Sequence, residues 1–487
     1  MAGRKFYITT AIDYVNGPPH IGHALEKVQA DVLARYARSA GRNVWFLTGT
    51  DEHGVKIARA AAEAKKPPEV FAEELADKFK ELKGILNLSW DDFIRTTDKS
   101  RHWPGAKMMW EKLAAAGDIY KKTYKGFYCV GHEAFLTKKD LVDGICPDHQ
   151  EKPELVEEEN YFFRFSKYGK RIAEKIESEE LKILPHGRRK EILAFIEGGL
   201  EDVSFSRSRA SLSWGIPVPG DESQTIYVWC DALVNYLSAI GYGRNDDWKH
   251  WWPADLHVIG KDILRFHAAI WPAMLMSAGL PLPKAIYVHG FLTVDKQKIS
   301  KTIGNTVDPK DIVEKYGTDT LRYYLLREVA LGSDGDFSER RLKELYNSDL
   351  ANGLGNFAAR VLTLGEEMGE NFQGLKPDHE IVEFVQGMKG PVFEKIKEVN
   401  FHEALSLIWQ LIDYGDHYIN KTAPWSEDNF EKKTKHVFNA VVILDNVAAL
   451  LQSFLPQTAD RITGCISWRG DKLKIKRGEV LFPRFSS

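Results

Sequence analysis

Covalent cross-links contribute little to this chain: 487 residues carry four cysteines, too few for a disulfide framework. An excess of one charge is also missing. Sixty-six Lys and Arg against 69 Asp and Glu leave a formal charge of −3. Net charge therefore draws in no polyanion, and a nucleic-acid partner needs local basic patches. Arg188, Arg189 and Lys190, or the run Lys472, Lys474, Lys476 and Arg477, are candidates, although solvated faces look the same. Long uninterrupted apolar runs are lacking too. The stretches Ala268 to Leu280 and Val437 to Leu455 are broken by Gly, Pro, Asn, Asp or Gln, so no membrane span is expected. The chain enters a strand-like run, Lys5 to Thr10, without a signal-peptide or Arg-rich pattern, and a reducing cytoplasm is the expected location.

What is present is an ordinary globular balance, 44% hydrophobic and 28% charged, in a chain long enough for two or three domains. The start alternates apolar runs with a 3.6-period segment: Phe6 to Thr10, a helix carrying Ile21, Leu25, Val28 and Val32, then Val44 to Thr48. This reads as β-α-β. A similar alternation returns with strands Thr225 to Trp229, Asp255 to Gly260 and Ala285 to His289. Between them the pattern turns aromatic and charge-rich, with the paired Cys and His residues near its beginning. The expected architecture is an α/β, Rossmann-like parallel sheet in two halves, 1–112 and 224–341. An inserted connective domain, 113–223, separates them, and a helical bundle, 342–487, follows with turns at Gly353, Gly369, Gly374 and Gly415.

After the first strand, Asn16-Gly17-Pro18-Pro19 stops the extended run, and the next helix opens on His20-Ile21-Gly22-His23. Two imidazoles three residues apart share one face of a first helical turn. There the free N–H groups and the helix dipole favour phosphate, and Gly22 lets a nucleotide approach the backbone. Alone the pair reads equally as capping or surface histidines. Downstream, Lys298-Ile299-Ser300-Lys301-Thr302 precedes Gly304, and two lysines around a hydroxyl in such a loop can neutralise a leaving pyrophosphate.

Together, in this order, these motifs resemble the two signatures of class I aminoacyl-tRNA synthetases, with Ile299 and Thr302 in place of the usual Met and Ser. The resemblance implies ATP binding by His20, Gly22, His23, Gly260, Asp262, Lys298, Ser300 and Lys301. It makes His20, His23, Lys298 and Lys301 catalytic, with Lys301 the more important lysine. The flanking runs Ala11-Ile12-Asp13-Tyr14, Tyr227-Val228-Trp229-Cys230-Asp231-Ala232-Leu233-Val234-Asn235-Tyr236 and His257 to His267 resemble the methionine enzymes within that class. This implies a methionine pocket of Ile12, Tyr14, Trp229, Ala232, Leu233, Tyr236, Ile263 and His267, with Asp51 pairing the ammonium. Aromatic edges suit a thioether, and one polar group separates it from a pure hydrocarbon.

Cys129-x-x-His132 and Cys146-x-x-His149 have the spacing of a four-ligand zinc knuckle, so one structural Zn²⁺ is expected. His132 departs from the family pattern, which usually has Cys there. In the helical segment Asn356 and Arg360 lie four apart, and Pro424-Trp425 offers a stacking ring. The family resemblance makes these three residues readers of a CAU anticodon. It also implies the substrates methionine, ATP with Mg²⁺, and methionine tRNA. The ending at Leu481-Phe482-Pro483-Arg484 resembles the family's minimal core, for which a monomer is expected. Two other functions fit parts of the pattern: a tRNA-independent nucleotidyltransferase, and a tRNA-binding paralogue without catalysis.

Overall fold

The computed structural model describes residues 3–130, 134–136, 141–147, 150–299, 304–470 and 472–484. The chain forms two compact units, Met1–Pro19 with Gly41–Lys83 and Ser89–His289, and His20–Ala40 with Gly84–Leu88 and Gly290–Ser487.

The first unit is built on seven strands: β1 (Lys5–Thr10), β2 (Asp13–Tyr14), β3 (Asn43–Asp51), β4 (Asp92–Arg95), β5 (Lys182–Leu184), β6 (Leu256–Gly260) and β7 (Ala285–His289). All pairings are parallel, in the order β2, β3, β1, β6, β7, β5, with β4 also on β3. Tyr7, Ile8, Phe46, Leu47, Val258, Ile259, Ile286 and Val288 are buried, the apolar reading expected of strands covered on both faces. From β1 the chain runs outward through β3, and the later strands extend from β6 on the other side. The carboxyl ends of β1 and β6 therefore meet at a topological switch point, where open α/β sheets bind ligands.

Two sequence expectations differ from what forms. Thr225 to Trp229 is no strand of the parallel sheet. Asp221–Ile226 pairs antiparallel with Pro217–Val218 and Ser206–Ser208, and Val228–Ala232 is helical. A β-favouring run is overridden there because Trp229 stacks on Phe266 and Asp231 turns inward to two histidines. The strand Lys182–Leu184, from within the stretch read as an insertion, joins the parallel sheet beside β7. That stretch also contains a four-stranded antiparallel sheet led by Ile119–Cys129 and Glu154–Phe163, and the helices Gly169–Glu177 and His186–Glu197.

The second unit is mainly helical, with a three-stranded sheet around Leu292–Val294 and a hairpin of Ile466–Arg469 with Lys472–Ile475. Gly369 takes positive φ and ends the helix Asn356–Met368, Gly374 takes positive φ in the turn that follows, and Gly353 and Gly415 lie inside helices. At Gly415 a side chain would meet the Phe357 ring at 2.4 Å, so glycine serves close helix packing there. The helix Ile21–Ser39 belongs to this unit, and its Asp31 pairs with Arg322 at 2.8 Å, both side chains fully buried. Arg322 also donates to the carbonyls of Leu86, Ser453 and Phe454, so the buried cation is satisfied on several sides. Among the described residues one helix, Phe430–Leu451, is long and apolar enough to cross a membrane, and most of its apolar part is buried within the protein.

Candidate active site

The first unit places a pocket wall at the carboxyl ends of its strands. Short β2 puts Tyr14 in register with Asp51 at the end of β3, and Val15 N–H donates to the Asp51 carbonyl at 3.1 Å. Ile12 packs over Gly49, where a Cβ would lie 3.0 Å from Ile12 Cγ2 and 2.1 Å from the Ile94 carbonyl. Any larger residue at 49 pushes Ile12 and β4 away.

The opposite wall comes from residues 229–267. Trp229 stacks on Phe266 with centroids 3.7 Å apart and 8° between planes, and meets His267 edge-on at 6.5 Å. The Tyr236 hydroxyl bonds His267 Nε2 at 2.7 Å, and His267 Nδ1 bonds the Ile263 carbonyl at 3.0 Å. A carbonyl only accepts, so Nδ1 carries a proton, and Nε2 shares a hydrogen bond with the tyrosine hydroxyl. His267 is thus held in orientation between Ile263 and Tyr236. It sits in a π-helical turn, Phe266–Ile270, a local widening common at functional sites. Ala232 and Leu233 are buried behind, while Ile12, Tyr14, Trp229 and Ile263 stay partly exposed.

Beneath this wall His257 is fully buried, its Nδ1 2.7 Å from Thr9 Oγ1 and its ring 4.3 Å from Tyr236. Burial, with His267 nearby, pushes it well below the ordinary histidine range. At the end of β6, a side chain on Gly260 would lie 2.8 Å from Asp262 Oδ1, so glycine lets Asp262 fold back over the strand end.

In the second unit His20 caps the helix Ile21–Ser39. Gly22 N–H donates to His20 Nδ1 at 3.1 Å and His20 N–H to His23 Nδ1 at 3.0 Å, a reciprocal capping box with rings 3.8 Å apart. With both Nδ1 atoms accepting, each neutral ring carries its proton on Nε2, the outer edge. A Cβ on Gly22 would sit 3.0 Å from His20 Cε1. Ile21 N–H donates to the Val307 carbonyl, which ties the start of this helix to the chain just past the lysine loop. Lys298 ends a hairpin with Leu292–Val294 across a left-handed turn at Asp295 and Lys296. Ser300 and Lys301 lie outside the described residues.

Farther along, Asn356 is exposed at a helix start. The Arg360 guanidinium lies 5.0 Å over the Trp425 ring while pairing with Asp416 at 2.8 Å and donating to Asn420 at 2.7 Å. Trp425 is 51% exposed, so it is a surface ring rather than core. The turn Pro424–Ser426 that presents it follows Ala423 at φ +39°.

Residues 6–152 and 139–362 match the family model for class I tRNA synthetases of the methionine type. The chain belongs to the class I methionyl-tRNA synthetases. It is 44% identical to the methionine–tRNA ligase of Thermotoga maritima over 95% of this chain and 75% of that protein. With the ligase of Brucella melitensis it shares 40% identity, over 97% and 93%. A solved structure of Mycobacterium tuberculosis methionyl-tRNA synthetase bound by methionyl-adenylate is similar at TM-score 0.94 and 36% identity, covering 99% of this chain and all of that one.

Cys129 and Cys146 are buried together with Leu136 in one small cluster, while His132 and His149 lie outside the described residues. No group of three or more metal-ligating side chains occurs among the described residues. Sequence reasoning overlooked Phe266, which fixes the Trp229 plane, His257, and the histidines around Asp231. The signal was available: His53 and Asp231 each lie two residues from a named pocket residue.

Proposed function

We propose that the methionine side chain is held by Ile12, Tyr14, Trp229, Ala232, Leu233, Tyr236, Ile263 and His267, with its ammonium on Asp51. The chain is a methionine–tRNA ligase. It forms methionyl-adenylate from methionine and ATP with release of pyrophosphate, then transfers methionine to the tRNA. The observation that carries the pocket reading is His267 held between Ile263 and Tyr236 beside an immobilised indole. Such a wall offers a polarisable side chain aromatic edges and one polar contact.

In the first step a methionine carboxylate oxygen attacks the α-phosphorus of ATP, and the bond from that phosphorus to the α,β-bridging oxygen breaks as pyrophosphate leaves. The outward Nε2–H groups of His20 and His23 donate to phosphate oxygens as negative charge builds, assisted by the helix N-terminus. Lys298, Ser300 and Lys301 screen the leaving pyrophosphate. Gly260 and Asp262 serve the ribose. Mg²⁺, arriving on the ATP phosphates, supplies further positive charge. In the second step the 3′-terminal ribose hydroxyl attacks the methionyl carbonyl carbon and AMP departs.

Asn356, Arg360 and Trp425 read the CAU anticodon, the indole stacking on a base and the polar pair bonding base edges. The buried thiols of Cys129 and Cys146, completed by His132 and His149, suit one structural zinc that takes no part in the reaction. Metal analysis should find one zinc per chain. The working form is a cytoplasmic monomer.

ATP–pyrophosphate exchange without tRNA tests the pocket. Exchange driven by methionine, and lost with Trp229→Ala, is the expected result. Methionine exchange untouched by Trp229→Ala would remove that residue from the pocket.

A further inference from the structure

A polar array links the two pocket walls of the first unit. His53, two residues beyond Asp51, places Nδ1 2.6 Å from Asp231 Oδ2, and Asp231 lies between Trp229 and Ala232. The other oxygen, Oδ1, takes His102 Nε2 at 2.6 Å, and His102 Nδ1 meets Ser238 Oγ at 2.8 Å. Asp231, His102 and Ser238 are fully buried, and His53 is 2% exposed. Burial opposes ionisation of Asp231, but the two imidazoles outweigh it and keep the carboxyl below its ordinary range.

The linkage of Ser238, His102 and Asp231 is that of a nucleophile relay. Complete burial bars a substrate carbonyl from the serine, so a hydrolytic role fails. What remains is mechanical. On the β3 side, Glu52 accepts Arg95 through both carboxylate oxygens, at 2.7 and 2.9 Å, and its carbonyl takes Trp214 Nε1 at 2.6 Å. The His53 ring is flanked by Trp214 at 5.3 Å and Trp103 at 6.2 Å. On the other side Trp229 is stacked and Tyr236 receives a Tyr7 hydroxyl on its carbonyl at 2.7 Å. Each wall is internally fixed, and the carboxylate–imidazole bond joins them.

We propose that His53 and Asp231 are positioning residues that set the spacing between the Asp51 wall and the Trp229 wall, and thereby the affinity for methionine. This rests on the reading that Asp51 and Trp229 line the methionine pocket. Neither His53 nor Asp231 touches the amino acid; they act through their neighbours two residues or fewer away. A single hydrogen bond to a charged group, lost in a buried site, is large enough to matter.

The test compares His53→Leu, His53→Asn, Asp231→Asn and Asp51→Asn in the full chain by tRNA-free ATP–pyrophosphate exchange. The amide nitrogen of Asn sits where Nδ1 sits, so His53→Asn keeps a donor to Asp231 that His53→Leu removes. His53→Leu should raise the methionine KM about tenfold while kcat and the ATP KM stay within about twofold. His53→Asn should bring the methionine KM back to within about threefold of the parent. An unchanged methionine KM in His53→Leu overturns the proposal. So does an equal defect in His53→Asn, or methionine and ATP KM rising together. If His53→Leu does not fold, Asp231→Asn decides: a raised methionine KM supports the role and an unchanged one refutes it. Asp51→Asn separates the layers. Lost methionine affinity there with normal His53 variants sinks only the positioning role, and no loss in any variant sinks the pocket reading as well.

Discussion

The proposed methionine wall and the face around Trp425 use the same residue types, an aromatic ring beside a nitrogen-rich side chain, in opposite ways. In the wall, His267 and Tyr236 are buried and joined by a hydrogen bond. On the helical face, Arg360 is charged, half-buried, and already paired with Asp416 and Asn420 beneath an exposed indole. On the proposed reading, a small substrate that must be told from its isosteres is met by groups whose orientation is fixed before it arrives. On the same reading, a polyanion is met by a cation whose existing partner is weakly held in solvent and can be exchanged.

The largest effect should come from His267→Leu, which removes the hydrogen-bond partner of the Tyr236 hydroxyl in a buried setting. The expected loss is about 2 kcal/mol, or about thirtyfold in methionine KM, with the KM for tRNA unchanged. Trp425→Ala should cost about 1.4 kcal/mol, tenfold in charging kcat/KM for tRNA, from a lost stacking surface. A matching loss in pyrophosphate exchange would blur the contrast between the two regions.

Acid should separate them next. His257 titrates well below 6.5 when folded, so the unfolded chain takes up its proton first as pH falls. Its contribution to stability is complete above 6.5 and declines below it, by about 1.4 kcal/mol per pH unit until the folded value is reached. Urea unfolding between pH 7.5 and 5.5 should show a shallower slope in His257→Asn than in the parent. The smallest effect belongs to Asp416→Asn. Loss of a solvent-exposed ion pair should change stability by less than about 1 kcal/mol. The freed Arg360 should lower the KM for tRNA; a raised KM would mean that Asp416 orients Arg360 rather than competing with RNA.

The parallel sheet, the capped histidine helix and the helical bundle were legible because each rests on local periodicity or on a motif. Ile21, Leu25, Val28 and Val32 announce a helix, and the Gly-Pro-Pro turn announces its start. The Thr225 to Trp229 run was misleading because its β-branched and aromatic composition describes a strand, while its conformation is set by partners far along the chain, Phe266 and the histidines of Asp231. Gly415 likewise looked like a turn, since nothing local reveals the Phe357 ring against it. For the proposed pocket, Trp229, Tyr236 and His267 are named from the family resemblance, and the structure brings the three rings together. The groups that hold them, Phe266, Tyr7 and His53, act through contacts with no sequence spacing of their own.

The most direct test of the contrast is tRNA-free ATP–pyrophosphate exchange measured side by side on His267→Leu and Trp425→Ala. A methionine KM raised in His267→Leu and unchanged in Trp425→Ala is the expected result. A parallel rise in both would contradict the account, because the exposed indole would then belong to amino-acid activation as much as the buried histidine does.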